Sequence, residues 1–173
     1  MIGPDEALQY VIEQARMRSQ QLVDLSKATG TRIAEDILAD HDFPAFPRAM
    51  MDGYAVRVAD AGGKVDVLGE IPAGHSIDAE EVPPGKSFEI MTGAPCPKGT
   101  EAVVPKEHVA RVESGVQLPE SLKPGQNIAA AGSECAAGSV VLREGDTMTP
   151  LAVAIAASLG RNKVHVTTRP TAS

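Results

Sequence analysis

The sequence predicts a mainly β protein with a few helices, an α+β fold. Between residues 54 and 112, short runs suited to strands alternate with glycine and proline turns, at the spacing of a small barrel or sandwich. Past residue 118, glycines recur every six or seven residues, which indicates short extended segments joined by turns, at Gly125, Gly132, Gly138 and Gly145. Helical periodicity is confined to residues 4–18 and 151–159.

Both helical stretches carry the start signal of a helix. Pro4 suits the first helical position, where its missing N–H costs nothing. Thr149-Pro150 forms an N-cap and first-turn pair before the apolar run, and Gly160 lies where that helix would end. We therefore expect an amphipathic helix over 4–18 and a buried helix over 151–159.

Turn residues separate the extended segments. Two segments near the N-terminus flank a turn at residues 27–30, and prolines 44 and 47 then form a stiff linker that marks a domain boundary. Residues 69–76 contain one proline and two glycines, so we expect a bulged or looping connection there. The predicted strands are 20–25, 32–39, 54–58, 64–70, 87–91, 101–105, 108–112 and 164–168.

Composition and charge restrict the classes of partner. A net charge of −7 opposes nucleic acid, because lysine and arginine must neutralise phosphates and the chain has no basic stripe. No run of about 18 apolar residues is present, so no membrane partner is expected. Cys96 and Cys135 form no CxxC pair, and no signal segment begins the chain, which favours a reducing cytoplasm.

Asp52 is the first candidate site residue. Asp52-Gly53 is a tight-turn dipeptide, and the strand that follows presents the carboxylate at a strand entrance. A lone Asp-Gly is more often a turn and nothing else. The apolar residues on both sides give the carboxylate a fixed direction, so coordination of Mg²⁺, or orientation of a phosphate-bearing substrate through that metal, is the functional alternative.

Thr92-Gly93 is the second candidate. The pair follows a predicted strand, and the hydroxyl with successive backbone N–H groups could form a small anion-binding concavity. The alternative is a proline-stiffened loop between two strands. Histidines and cysteines show no metal-ligand spacing, and Gly85-Lys86-Ser87 lacks the preceding glycine of a phosphate-binding loop. These residues alone do not name a function.

An ordered series of motifs resembles the N-terminal part of the molybdopterin molybdenumtransferase family, the MoeA and gephyrin E-domain proteins. The motifs are AMMDGYAVR, GEIPAG, FEIMTGAPCPKGTEAVVP, LKPGQNI, AAGSECAAGSVVLREGDTMTPLAVAIAASLG and VTTRP, which together cover nearly the whole chain. The resemblance implies a cytoplasmic homodimer that inserts molybdate into adenylylated molybdopterin with the help of Mg²⁺ and releases AMP.

The resemblance also implies an architecture and a site. A small β-barrel-like domain of residues 47–128 would be inserted into an elongated, coiled-ribbon domain made of residues 1–46 and 129–173. Asp52 and Thr92 would be catalytic, Gly53 and Gly93 would bind substrate, and Asp52 would be the candidate Mg²⁺ ligand. These residues would face the pterin-binding domain of the partner subunit.

The sequence departs from the family pattern in three places. Pro47-Arg48 replaces the usual polar approach to the Met-Asp-Gly core, and Cys135 lies where an acid is expected. The sequence also stops where the family continues into its C-terminal pterin-binding domain, and a chain at −7 without a lysine or arginine cluster should hold anions poorly. We therefore expect a catalytically incomplete piece of the enzyme. A noncatalytic dimerisation or scaffold module related to the family is the alternative.

Overall fold

The computed structural model describes residues 2–14, 19–74 and 81–167. Within these residues the chain is mostly β, with two α-helices and a six-stranded sheet that curls into a half-barrel, so the predicted fold class is confirmed. The helices are α1 (Pro4–Gln14) and α2 (Pro150–Ser158). The strands are β1 (Gln20–Asp24), β2 (Arg32–Ile33), β3 (Ile37–Leu38), β4 (Arg48–Ala49), β5 (Gly53–Val56), β6 (Lys64–Ile71), β7 (Lys86–Ile90), β8 (Ala102–Pro105), β9 (Ala110–Val112), β10 (Gly115–Gln117), β11 (Ile128–Ala129), β12 (Val140–Leu142) and β13 (Lys163–Thr167).

The chain divides into two compact units. One contains the described parts of residues 1–38 and 140–173, and the other is built from residues 39–139. The predicted division into residues 1–46 with 129–173 and residues 47–128 stays a prediction. None of the helices in the part of the chain that the structure describes is both long and apolar enough to span a bilayer.

The first unit contains an antiparallel sheet in the order β1-β13-β2, a β3–β12 pair and both helices. Its central strand, β13, alternates as a half-buried strand should, with Val164 and Val166 buried. The predicted start of α2 is confirmed, because the Thr149 hydroxyl accepts the Ala152 N–H at 3.1 Å. Of the predicted helix 4–18, α1 forms residues 4–14, and residues 15–18 lie outside the described residues.

Two predicted strands of this unit are shorter than expected. The segment 20–25 ends at Asp24, where a 3₁₀ turn begins. The segment 32–39 breaks into β2 and β3, because Ile33 and Ala34 are both buried. Successive side chains of a strand point to opposite faces, so two consecutive buried residues require a bend when only one face is covered.

The second unit is organised around the six-stranded sheet, in the order β8-β5-β7-β6-β10-β9. All of its pairs are antiparallel except β6 with β7. Both faces of the sheet are covered by apolar clusters, which is why β5 and β8 are buried along their whole length. One cluster includes Ala55, Ile90 and Val103, and the opposite cluster includes Tyr54 and Val104.

Every strand predicted in this sheet is present, with ends shifted by one or two residues. The sequence patterns missed β10. Residues 69–76, predicted as a bulged or looping connection, begin within β6, which continues through Gly69 to Ile71. A register irregularity between Val67 and Glu70 accommodates that glycine within the β6–β7 pair. Residues 75–80 of the predicted loop lie outside the described residues. The four spaced glycines do occupy turns, each with positive φ.

Candidate functional site

Three neighbouring strands bring the candidate residues together. β5 lies between β8 and β7, and Gly53 at its start pairs with Pro105 on one side and Ile90 on the other. Asp52 immediately precedes β5, and its carbonyl accepts the Lys106 N–H at 3.2 Å, one residue past the end of β8. The start of one strand and the ends of its two neighbours therefore form the candidate site.

Gly53 allows β5 and β8 to approach closely. A Cβ atom at this position would lie 2.1 Å from the carbonyl oxygen of Val104 and 2.7 Å from its carbonyl carbon. Both are backbone atoms, which cannot rotate away as a side chain can. The requirement for glycine here is therefore structural, and the predicted role of Gly53 in substrate binding stays a prediction.

Thr92 holds the Asp52 carboxylate. The Thr92 hydroxyl and backbone N–H both donate to Oδ1 of Asp52, at 2.6 and 2.8 Å. These two hydrogen bonds, that of the hydroxyl first, lower the pKa of the exposed Asp52 carboxyl below its usual range, and the charge of Lys106 adds to the effect. Across the described residues no donor reaches Oδ2, which leaves that oxygen available to a ligand.

The successive backbone N–H groups that could form an anion-binding concavity at Thr92-Gly93 are not free to bind an added anion. The Gly93 N–H donates to the Ala49 carbonyl at 2.8 Å, and the Ala94 N–H closes a turn onto the Met91 carbonyl at 2.9 Å. Gly93 has φ of +81°, which glycine adopts without steric cost at the third position of such a turn. The anion that this loop holds is the protein's own carboxylate. The predicted role of Gly93 in substrate binding stays a prediction.

Sequence reasoning missed an ion pair beside Asp52. Lys106 Nζ lies 2.8 Å from Oε1 of Glu89, and both side chains are partly exposed, with 32% and 24% of their surfaces accessible to solvent. Glu89 is directly opposite Tyr54 on β7, and the alternation of β5 and β8 places residues 52, 54, 104 and 106 on the same face. The hydrogen bond to Glu89 is the main cause that raises the pKa of Lys106, so the ammonium group stays charged.

The donor set around Asp52 limits the kind of metal site that this chain can supply. No cluster of three or more His, Cys, Asp or Glu side chains suitable for a metal occurs in residues 2–14, 19–74 and 81–167. Mg²⁺ is commonly held by one or two carboxylates, with waters and substrate phosphate oxygens completing an octahedron. The open Oδ2 of Asp52 fits that kind of site and does not fit an all-protein cage.

The two segments in which the sequence departs from the family pattern, around Arg48 and Cys135, lie close together in the structure. The Arg48 guanidinium, on β4, forms a hydrogen-bonded ion pair with the Glu134 carboxylate. Cys135, the next residue, is bridged through its backbone to Phe43, on the segment that leads into β4. The atypical arginine therefore has an acidic partner one position before the place where the acid was expected.

Comparison with known proteins places this geometry in a family. The model of the MoeA N-terminal region (domain I and II) matches residues 2–160. The chain is 37% identical over 164 residues to molybdopterin molybdenumtransferase of Haemophilus influenzae, covering 92% of this chain and 40% of that protein. It is 34% identical over 176 residues to molybdopterin molybdenumtransferase 2 of Mycobacterium tuberculosis, covering 98% of this chain and 43% of that protein.

A solved structure agrees with the sequence comparisons. The crystal structure of the molybdopterin biosynthesis moeA protein from Pyrococcus horikoshii superposes with a TM-score of 0.90 at 36% identity, over 98% of this chain and 47% of that one. The chain thus spans less than half the length of these relatives. Because the family match extends over residues 2–160, the chain belongs to the MoeA N-terminal region family.

Proposed function

We propose that this chain is the N-terminal part of an enzyme of molybdenum cofactor biosynthesis, which inserts molybdate into adenylylated molybdopterin and releases AMP. The observation that carries the proposal is the Asp52 carboxylate, held ionised by Thr92 with one oxygen open, in a chain of this family. The relatives are named for this transfer, and the chain spans under half their length. The activity therefore needs a C-terminal pterin-binding domain in cis, and residues 1–173 alone are catalytically incomplete.

Asp52 and Thr92 have different tasks in the proposed reaction. Asp52 offers the open carboxylate oxygen, Oδ2, as the one protein ligand for Mg²⁺, and Thr92 fixes the orientation of that carboxylate through Oδ1. When bound, Mg²⁺ supplies positive charge that offsets the charge of phosphate oxygens. Gly93 keeps the Thr92 turn open to the substrate, and Gly53 keeps β5 close to β8 beneath the site.

The proposed enzyme is a cytoplasmic homodimer without a nucleic-acid or membrane partner. The net charge of −7 disfavours polyanions and anionic surfaces. A surface suited to a second copy is the apolar face of α1, where Val11 and Ile12 follow Leu8 by three and four residues and all three are about 60% exposed.

The test is Asp52→Asn in the full-length protein that contains this chain. We expect molybdate insertion to fall about tenfold or more, because losing a metal ligand should cost at least as much as losing a residue that only orients one. Because the carboxylate is exposed, the melting temperature should change little. Asp60→Asn is the matched control, since Asp60 accepts the Gly85 N–H at 3.1 Å outside the site, and its activity should equal that of the wild type. A wild-type rate for Asp52→Asn would remove Asp52 from the mechanism.

The exposed face of α1 also favours the second candidate, a noncatalytic dimerisation or scaffold module. The same experiment separates the two functions. A full-length wild-type protein that forms dimers in analytical ultracentrifugation but inserts no molybdate would support the scaffold. Turnover by the wild type, lost in Asp52→Asn, would support the enzyme.

A further inference from the structure

An open cavity of about 230 Å³ lies on the same face of the six-stranded sheet as Asp52 and Lys106. Strands β5, β6, β7, β9 and β10 all contribute to its wall, so the curl of the sheet forms it. The side chains that matter for its chemistry are those of Tyr54, Val67, Glu89, Arg111, Ser114 and Val116. The proposed roles of Asp52 and Thr92 do not involve this cavity, although Tyr54 and Glu89 belong to the motifs AMMDGYAVR and FEIMTGAPCPKGTEAVVP.

The charges around the cavity leave one cation without a partner. Glu89 is neutralised by Lys106 at 2.8 Å, and Ser114 donates to the Asp66 carboxylate, which Lys86 neutralises at 2.7 Å. For Arg111, no carboxylate of the described residues lies within ion-pair distance. Arg111 is therefore the charged side chain of the cavity wall that has no ion-pair partner among the described residues, whereas Glu89 is paired with Lys106.

The volume of the cavity decides what can occupy it. A cavity of about 230 Å³ has room for about seven water-sized molecules, at roughly 30 Å³ each. Pockets for drug-sized ligands run from about 300 to 1,000 Å³. A tetrahedral oxyanion with a few waters fits this space, and a whole nucleotide joined to a pterin does not.

We propose that this cavity is a subsite for a tetrahedral oxyanion, with Arg111 as its main binding cation and Lys106 as a second cation at its edge. The planar guanidinium of arginine presents paired N–H donors that match two oxygens of such an anion. Lys106 uses one donor on Glu89 and a second on the Met91 sulfur at 3.8 Å, which leaves one N–H to offer. Tyr54 and Val116 form the buried floor of the cavity, and Arg111 is an exposed residue of the edge strand β9.

The choice of ligand rests on the proposed function, because both substrates of that reaction carry the same chemistry. Molybdate is a tetrahedral oxyanion, and the adenylylated pterin carries phosphate groups. Lys106 connects the cavity to the site, since its backbone bonds Asp52 and its side chain bonds Glu89 on the cavity wall. The cavity and the Asp52 carboxylate therefore have Lys106 as a common neighbour.

The first measurement is equilibrium binding, by titration calorimetry of the full-length protein with sodium molybdate and, separately, with orthophosphate. We expect Arg111→Gln to weaken binding of both ions by about tenfold to hundredfold, the range for loss of a charged hydrogen bond. Arg111→Lys should retain part of the affinity, and Lys106→Gln should also weaken binding. Lys27→Gln is the matched control, because Lys27 forms an exposed ion pair with Asp24 and belongs to no part of this sheet, so the affinity should be unchanged.

The second measurement identifies the source of the oxyanion. A rise in KM for molybdate alone in Arg111→Gln assigns the subsite to molybdate, and a rise in KM for adenylylated molybdopterin alone assigns it to a phosphate of that substrate. Equal molybdate and orthophosphate affinities in Arg111→Gln and wild type, or no binding by the wild type, would overturn the subsite. Binding that depends on Arg111 in a protein without turnover would support the subsite and count against the proposed function.

Discussion

Replacing Gly53 by alanine tests whether the close contact of β5 with β8 positions the site. The new Cβ would lie 2.1 Å from the Val104 carbonyl oxygen, about 1.3 Å inside the 3.4 Å of ordinary contact. The obstructing atoms belong to the backbone of β8, so no side-chain rotation relieves the overlap. The two strands would have to separate at the point where β5 leads back to Asp52.

The expected cost follows from that separation. Moving the strands apart by about 1 Å breaks the hydrogen bonds nearest Gly53, at about 1 kcal/mol each for one or two bonds. Forcing an extra carbon into a packed interior costs about 1–3 kcal/mol. We therefore expect Gly53→Ala to lower the free energy of unfolding by about 2–5 kcal/mol, a large part of the stability of an ordinary domain.

The assay is urea unfolding of the full-length protein, followed by circular dichroism, with Gly69→Ala as the matched control. Gly69 lies in β6 of the same sheet, and its nearest neighbours to an added Cβ are atoms of the Phe88 ring at 3.9 Å. Alanine there should be neutral or stabilise by up to about 1 kcal/mol. If Gly53→Ala unfolds at the same urea concentration as Gly69→Ala, the close contact does not constrain β5 and the reasoning fails.

Two further predictions concern ionisation. Thr92→Val removes the largest cause of the lowered pKa of Asp52, so that pKa should rise toward its usual value; a carbon NMR titration of the carboxyl would detect this, and an unchanged pKa would exclude the hydroxyl as the cause. Burial raises the pKa of Cys96 from 9.0 to about 11, so the folded state keeps a proton that the unfolded state loses, and stability should fall as pH rises from about 9 to about 11. Cys96→Ala should remove this fall, and at neutral pH the partly exposed Cys135 should be alkylated well before the buried Cys96.

Local signals in the sequence were enough to predict the elements whose causes are local. Thr149 and Pro150 mark the start of α2, where the Thr149 hydroxyl accepts a hydrogen bond from the N–H of Ala152, three residues later. The spaced glycines mark turns, because only a few residue types tolerate positive φ. The break between β2 and β3 and the existence of β10 were not predictable in the same way. Both depend on which distant strand covers a segment, which no short window of sequence contains.

The residues of the candidate site also divide into those with a local sequence signal and those whose role depends on distant strands. Asp52 and Thr92 were each identified from their own turns, and only the ordered motifs suggested that they belong to one site. Glu89 and Lys106 gave no local signal, since their pairing depends on β7 and β8 both flanking β5. The direction of the Thr92 N–H was also unpredictable, because the turn that aims it at Asp52 closes only when the strands are paired.

Net charge does not describe how the charges of this surface are arranged. That a chain at −7 with no cationic cluster in its sequence holds anions poorly stays a prediction, and strand pairing places the charges of Asp52, Lys106, Glu89 and Arg111 on one face. Since Lys106 neutralises Glu89, a negative charge at Asp52 and a positive charge at Arg111 remain to be matched. A ligand that matches both presents positive charge toward Asp52 and negative charge toward Arg111. An oxyanion accompanied by Mg²⁺ has that polarity, which is why the proposed metal ligand and the proposed oxyanion subsite fit one substrate complex.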